Sequence, residues 1–584
     1  MNLKTMALSG LIALFGANGC AAANSFEKPQ KPIKYEQSSE FYKCEDKLDG
    51  ERKIIFDAIE QEFNRNKENL RIKGYQDPYY MSFSALQKES FEVIGSYGTS
   101  EKEEKDFLML RAEIRIGDHS NEAVSYSTGG TYENKPYNIK RTLWLTSDAA
   151  IKNAEQSFYH KKASEINKIE NEELKGIDDF SKEKSSICMG NDLKLEQIEG
   201  LEEMVKRISD EFSDEKDIMS STVFVKGQKL TKYFINSEGT KLVNSATFYS
   251  AFIHAQMLTE KGETLGTFRI VQYRTPEEIP TEKQLKEMSN EVLQELRELK
   301  KAPKLGPVAV PAILDSDNTG VFWHEVIGHR LEGERQISEF SGGTFKNKLN
   351  QKITSDLVTL VDDPTLSRFN GKSLNGHYMF DDEGVLGQKV TLIEKGVLKD
   401  YMRSRKPIPG FKNSNGHGRT EFSQDPIARM SNTRVVPEKT IPLEKLKEMA
   451  KEEAISQGQD FYLLFRGSRG GLTTTSAFSS FQAFKTIPKM VYKVDIKTGE
   501  ETLVRPIEVI GTPLSILKEI VAFGNDSEAW NGRCGAESGW VPVSVIAPSM
   551  LVKRLEVQNM SKSLFDVIFG GDKQTPPILP SPEK

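Results

Sequence analysis

His324-Glu325-Val326-Ile327-Gly328-His329 places two imidazoles and a carboxylate within six residues. Neutral imidazoles bind a transition metal, and a glutamate beside them can take a proton from a metal-activated water. These are the parts of a zinc hydrolase site. The chain has only seven histidines, so the pair stands out. In the commoner His-Glu-x-x-His pattern the histidines sit four apart on one helical face. Here they are five apart, a turn of roughly 140° on a regular helix. For both rings to reach one ion the helix must widen by one residue, as in a π-bulge, or bend. Gly328 is permissive enough to sit at such a point. The competing reading is a helix with two unrelated histidines, one packed and one exposed.

The flanking residues predict how the motif is held. Asp315-Ser316-Asp317-Asn318-Thr319 supplies several helix-capping side chains. Val321, Phe322, Trp323, Val326, Ile327 and Leu331 make the helix apolar on most sides, so it should be buried. Glu332, three residues after His329, fits a partner that orients an imidazole better than it fits a direct ligand. Catalytic zinc usually has three protein ligands and an open position. The third ligand is sought among His377, His417, Cys534 and the carboxylates. Cys534 lies in Asn531-Gly532-Arg533-Cys534-Gly535, read as a glycine-flanked loop that could bring a thiolate to a metal. The alternative is an ordinary buried thiol.

Longer stretches carry a resemblance. His324 to Glu334, with the sequence His-Glu-Val-Ile-Gly-His-Arg-Leu-Glu-Gly-Glu, resembles the signature of the TldD/PmbA metalloproteases. The likeness continues through Phe380-Asp381-Asp382-Glu383-Gly384, Leu392 to Leu398, Asn415-Gly416-His417-Gly418-Arg419 and Arg429-Met430-Ser431-Asn432-Thr433. It ends at Cys534-Gly535 and Val541-Pro542-Val543. Tyr233 to Gly239 is similar to a shorter element of the family's N-terminal domain, and the resemblance is not carried to residues before about 220. The resemblance implies that His324, His329 and Cys534 bind one zinc and that Glu325 is the general base. It implies the active TldD type, because the PmbA (TldE) branch lacks the metal motif. It also implies a peptide or unfolded-protein substrate, laid as an added strand inside the chamber of a homodimer or of a heterodimer with a family member. The substrate-binding residues are not identified. A thiolate ligand favours zinc over magnesium or calcium.

The first residues depart from the cytoplasmic pattern of such proteins. Lys4, the apolar run Met6 to Phe15 and the small residues Gly16 to Ala23 read as an export signal, too short to span a membrane. Gly19-Cys20 is compatible with lipidation of Cys20, although Ala17 stands where leucine is usual; cleavage after Ala23 competes. The expected location is a bacterial periplasm or a membrane-anchored lipoprotein of the envelope. If Cys20 is lipidated or removed and Cys534 holds metal, Cys44 and Cys188 remain, as a disulfide or as two free thiols.

The 584 residues suffice for more than one domain. Charged residues make up 28% with a net charge of −6, which argues against nucleic-acid binding. The expected organisation is a signal over 1–23, an N-terminal domain over 24–304 with a divergent helical region, and a metallopeptidase domain over 305–584. The fold class is α+β, with a mixed N-terminal domain and a β-rich C-terminal one. Residues 24–38 read as a tether, 46–72 and 149–212 as helical, and Tyr80 to Leu145 as β-type. Asn236 to Gly239 reads as a turn and 281–302 as an amphipathic helix broken at Pro303 and Pro307. Hairpins are expected around Glu394-Lys395-Gly396 and Lys497-Thr498-Gly499, and a helix over 442–457. Asp381-Asp382-Glu383-Gly384 could hold a cation or position a substrate amine, but reads better as a polar turn beside the site. Gly467-Ser468-Arg469-Gly470-Gly471 lacks a phosphate-loop ending and could border a peptide groove. The functional expectation is an exported zinc metallopeptidase of unfolded peptides. Its rivals are a non-catalytic envelope binding protein with a structural or vestigial metal, and an amidase acting on modified peptides.

Overall fold

The computed structural model describes residues 35–36, 44–45, 47–165, 175–338, 341, 343–475 and 483–560. The export-signal and Cys20 lipidation readings, most of the tether and the last ten residues lie outside them. The fold is α+β, in two halves.

The N-terminal half is an eight-stranded sheet with helices on one face. Its main strands are β1 (Tyr80–Ser96), β2 (Thr99–Gly117), β3 (Glu122–Thr131), β4 (Ile218–Asn236), β5 (Lys241–Leu258) and β6 (Thr264–Tyr273). The order is β5-β4-β1-β2-β3, with β6 also on β5 and the short strands Ile187–Gly190 and Cys44–Glu45 beyond β5. A disulfide joins Cys44 to Cys188 across those two short strands. Two-residue periodicity splits the faces of β1. Phe83, Ala85, Phe91 and Val93 turn to the helices, while Ser82, Ser84, Leu86 and Lys88 line a cavity shared with the C-terminal half. Tyr97 and Gly98, both at positive φ, make the tight turn from β1 to β2.

Helices α1 (Gly50–Asn69) and α2 (Pro136–Glu165) cover one end of that face, and α3 (Leu201–Asp210) and α4 (Glu282–Lys301) the other. α4 starts in a capping box between Thr281 and Gln284 and buries Leu285, Val292, Leu296 and Leu299. Two expectations are corrected here. Residues 136–145 are helix rather than strand, because Pro136 can open a helix and Ile139 and Leu143 continue into the buried stripe of Ile151, Ala154 and Phe158. Among the described residues, the helical stretch over 149–212 is two helices, α2 and α3, with the strand that carries Cys188 between them.

The C-terminal half contains β7 (Val308–Leu314), α5 (Ser316–Val326), β8 (Val358–Asp362), β9 (Val390–Glu394), β10 (Asn432–Pro437), α6 (Leu443–Ser456), β11 (Phe461–Thr473), β12 (Phe484–Asp495), β13 (Glu528–Ala536), β14 (Gly539–Ala547) and β15 (Met550–Asn559). β7 pairs with both β11 and β15, so with β12 and Ile507–Gly511 the strands close on themselves. A second sheet runs β9-β8-β10-β14-β13. α5 packs between the two sheets against β11, β13 and β14. The hairpins at Lys395-Gly396 and Lys497-Thr498-Gly499 and the helix α6 lie where expected.

Candidate metal centre

α5 is short, and buried from Asp317 to Val326. The Asp315 side chain caps it by accepting from Asn318 N at 3.0 Å. Gly320 lets it lie against β14, since a Cβ there would meet Val545 at 3.3 Å. The helix does not widen into a π-bulge. It stops at Val326, and Gly328–Leu331 continue as a 3-10 turn. This change of path between the two histidines brings their rings to one side, centroids 4.9 Å apart and nearly perpendicular. Arg330 holds the break by donating to the carbonyl oxygens of Glu325 (2.5 Å) and Val326 (3.4 Å). Gly328 is required by packing rather than by an unusual φ: a Cβ there would lie 2.1 Å from Met430 Sδ.

Cys534 is not in a loop. It lies on β13, opposite Val541 of β14. That strand carries its thiol to His324 Nε2 at 3.1 Å and His329 Nε2 at 3.2 Å. The ligand atoms of His324, His329 and Cys534 lie within 4.8 Å of one another, all three residues buried. A tetrahedral zinc with these donors sets nitrogen–sulfur separations of roughly 3.5 Å, so a few tenths of an ångström of opening fits the ion. The donor set suits zinc, and a thiolate is required of the cysteine. Burial pushes the Cys534 thiol up, but His329, Arg429 and His324 outweigh it and hold the thiol well below its usual range. Such an anion at the junction of two imidazoles is the state a metal ligand needs.

The surroundings fix the ligands. Glu332, fully buried, accepts from His329 Nδ1 at 2.9 Å and from Arg335 at 2.9 and 3.1 Å. Burial would raise its carboxyl, but His329, Arg335 and Arg429 bring it down to about 2. It therefore orients His329 rather than joining the cluster. Arg429 donates to the Cys534 carbonyl at 2.6 Å and lies 3.1 Å from its sulfur. Its other arm holds Ser538 and Gly539, so it pins the β13–β14 hairpin. Sequence reasoning assigned Arg429 no role, although it opens the Arg429 to Thr433 motif. Arg335, which also pairs with Glu537, and Trp530 and Trp540 were missed; no local pattern marks them.

A cavity of about 450 Å³ opens over the cluster. Glu325 lines it beside His324 and His329, with Gly470, Gly471 and Thr473 of β11 and Gly535 and Ala536 of β13. Burial raises the Glu325 carboxyl, and among the described residues its side chain has no hydrogen-bond partner. It faces the cavity, free to engage a ligand.

The other candidates lie elsewhere. His377 Nδ1 contacts the Pro364 carbonyl at 2.8 Å, and His417 sits between Asn415 and Asp362 at 2.9 and 3.2 Å. Neither joins the cluster, because His377 is held by the Pro364 carbonyl and His417 by Asn415 and by Asp362 of β8. Asp381 binds the backbone N–H groups of Glu383, Val385 and Gly418. The acidic turn is thus a polar turn, and it borders the cavity under the N-terminal sheet rather than the metal cluster.

Residues 307–559 match the PmbA/TldA metallopeptidase C-terminal domain. Among known proteins, the chain is 34% identical over 255 residues to a metalloprotease of Archaeoglobus fulgidus, covering 43% of this chain and 53% of that one. It is 29% identical over 262 residues to a zinc metalloprotease TldD homolog of Saccharolobus solfataricus, covering 44% and 52%. The chain thus spans about half the length of these curated relatives. The fold as a whole is similar to TldE from Thermococcus kodakarensis, with a TM-score of 0.56 at 15% identity over 86% of this chain and 100% of that one. His324, Glu325, His329 and Cys534 therefore all lie in the stretch that is similar to the PmbA/TldA metallopeptidase C-terminal domain, and the relatives it resembles are named as metalloproteases.

Proposed function

We propose that this chain is an exported zinc metallopeptidase acting on unfolded peptides. The observation that carries the reading is the meeting of His324, His329 and Cys534 at one buried point, with the Glu325 carboxyl on the wall of the same cavity. His324 Nε2, His329 Nε2 and Cys534 Sγ would hold the zinc. When bound, it supplies Lewis acidity for a carbonyl and a water near neutral pH. Glu325 takes the proton of the attacking water and passes it to the leaving amine nitrogen. Burial of Glu325 and of the cluster excludes bulk water from that transfer. Glu332 and Arg429 keep the ligands in place.

A peptide can be bound by its main chain. β13 is the outer strand of its sheet, and its Gly535 and Ala536 line the cavity. An extended peptide added there makes backbone hydrogen bonds whatever its sequence. Export is supported by the signal-like residues 1–23 and by the Cys44–Cys188 disulfide. The partner in this reading is a second copy or a family member without the metal motif, and Cys20 is the site of a membrane lipid. The test is elemental analysis of the chelator-free full chain beside Cys534→Ala, with peptide hydrolysis by Glu325→Gln. The reading expects about one zinc per chain, lost in Cys534→Ala, and a Glu325→Gln protein that keeps zinc without turnover. A native protein without zinc, or wild-type turnover in Glu325→Gln, rules it out.

A further inference from the structure

The metal cavity does not end at the cluster. Arg533 and Trp540, on the β13–β14 hairpin, also line a second cavity of about 620 Å³ beneath the N-terminal sheet. That volume is in the range of pockets that take small ligands, roughly 300–1,000 Å³. Its roof is the face of β1, β2, β4 and β5 turned away from the helices, and its floor is the segment around His377 to Glu383 and Arg419 to Phe422. A peptide crossing the metal cluster has this space on one side of the cleaved bond.

The charges there do not cancel. Arg111 is engaged by Glu113 and Asp425, Lys226 by Glu92 and Lys232 by Asp382. Lys88, Arg419 and Arg533 also line the cavity, and among the described residues none of them has a carboxylate within ion-pairing distance. Lys88 Nζ lies over the Phe107 ring at 5.6 Å. Among the described residues, the Arg419 side chain donates only to the Met430 carbonyl and that of Arg533 only to the Trp540 carbonyl, and Arg533 Nε is buried without a partner. Of the acids on the same walls, Asp381 and Glu383 are pushed up by burial, which lowers the negative charge they hold near neutrality. Glu421, the other acid on these walls with no cation within ion-pairing distance among the described residues, accepts from Trp540 N. Burial, with Lys226 and Arg533 nearby, lowers Lys88 to about 8. An anion arriving between these groups would relieve that repulsion.

We infer that Lys88, Arg419 and Arg533 form an anion subsite for a carboxylate of the peptide substrate, either its C-terminus or an acidic side chain. This rests on the peptidase reading and adds a charge preference to main-chain binding. The probe is a set of fluorescein-labelled unfolded decapeptides, identical except for a free or amidated C-terminus and for internal Glu or Gln. Binding is followed by anisotropy on the full-length Glu325→Gln protein, and hydrolysis on wild type. The subsite predicts that one anionic form binds roughly tenfold more tightly than its neutral counterpart, the effect of one charge-assisted hydrogen bond in a partly desolvated site. A preference in the amidation arm identifies the terminal carboxylate, and one in the Glu/Gln arm the side chain. Adding Lys88→Met should abolish the preference, and adding Lys88→Arg should restore it. Equal binding of all four peptides, or a preference that survives Lys88→Met with unchanged size, overturns the subsite. Hydrolysis without charge preference removes the subsite alone. A preference in binding without hydrolysis by wild type removes the peptidase reading and leaves the subsite.

Discussion

Gly471 offers a way to move Glu325 without touching a metal ligand. It lies on β11, paired with Thr486 of β12, and has no side chain between the strand and α5. A Cβ there would lie 2.7 Å from Glu325 Cγ, 2.8 Å from the Lys485 carbonyl oxygen and 3.0 Å from Val321 Cγ1. Ordinary contacts between such atoms are about 3.5–4.0 Å. The Lys485 carbonyl belongs to the β11–β12 pairing and cannot retreat without disturbing it. The Glu325 side chain faces a cavity and can pivot, by about 1 Å, to restore normal contact. None of the three atoms nearest to that Cβ belongs to His324, His329 or Cys534. Gly471→Ala is therefore expected to cost about 1–3 kcal/mol of stability by overpacking and to keep its zinc. A displacement of that size at a reacting group lowers turnover by roughly 100-fold. The assay pairs zinc content and urea unfolding with kcat on an unfolded peptide. Turnover within twofold of wild type in a zinc-loaded Gly471→Ala protein would refute the placement of Glu325 at the reaction. Loss of zinc would refute the claim that base and ligands are separable.

Gly328→Ala should act in the opposite way: its Cβ would meet Met430 Sδ at 2.1 Å beside His329, so zinc affinity should fall together with about 1–3 kcal/mol of stability, and unchanged affinity in a chelator competition would count against the packing argument. Glu332→Gln removes the charge that orients His329 and should weaken zinc roughly 10–100-fold in the same assay. The pair Asp381 and Glu383 predicts a pH dependence. Burial raises both carboxyls in the folded protein, so their contribution to stability is full below the unfolded carboxylate range and is lost as pH rises through the raised values. Stability in urea should be lower at pH 8 than at pH 6, and Glu383→Gln, which can still accept from Arg405 N, should reduce the difference. An unchanged difference in that variant would exclude Glu383 as its source.

Features set by local pattern could be read from residue order. The stripe and capping residues of 281–302, the Asn236 to Gly239 turn, both C-terminal hairpins and the capped apolar helix after Asp315 all follow from periodicity and turn chemistry over a few residues. The pairing of histidines with a glutamate was visible for the same reason, as was Glu332 beside His329. Where local signals conflicted, order alone misled. Residues 136–145 carry β-forming aromatic and branched residues, yet their buried face matches α2. Cys534 has glycines around it and looks like a loop, yet it is held in β13 by its pairing with β14.

What residue order left open is what depends on contacts between distant segments. Cys534 is 205 residues from His329, and residue types and spacing alone left His377 and His417 as reserve ligands beside it, until the fold turned each to partners of its own. The five-residue spacing required a change in helix path but not its form; the close approach of Met430 to Gly328, 102 positions apart, goes with a helix that ends rather than bulges. Arg429 and the cation-lined cavity under the N-terminal sheet are likewise products of packing. Sequence determined the chemistry carried by the chain, because residue types and short spacings are local. Tertiary structure decided which of those groups meet, because long-range pairing of strands and burial of side chains depend on the whole chain at once.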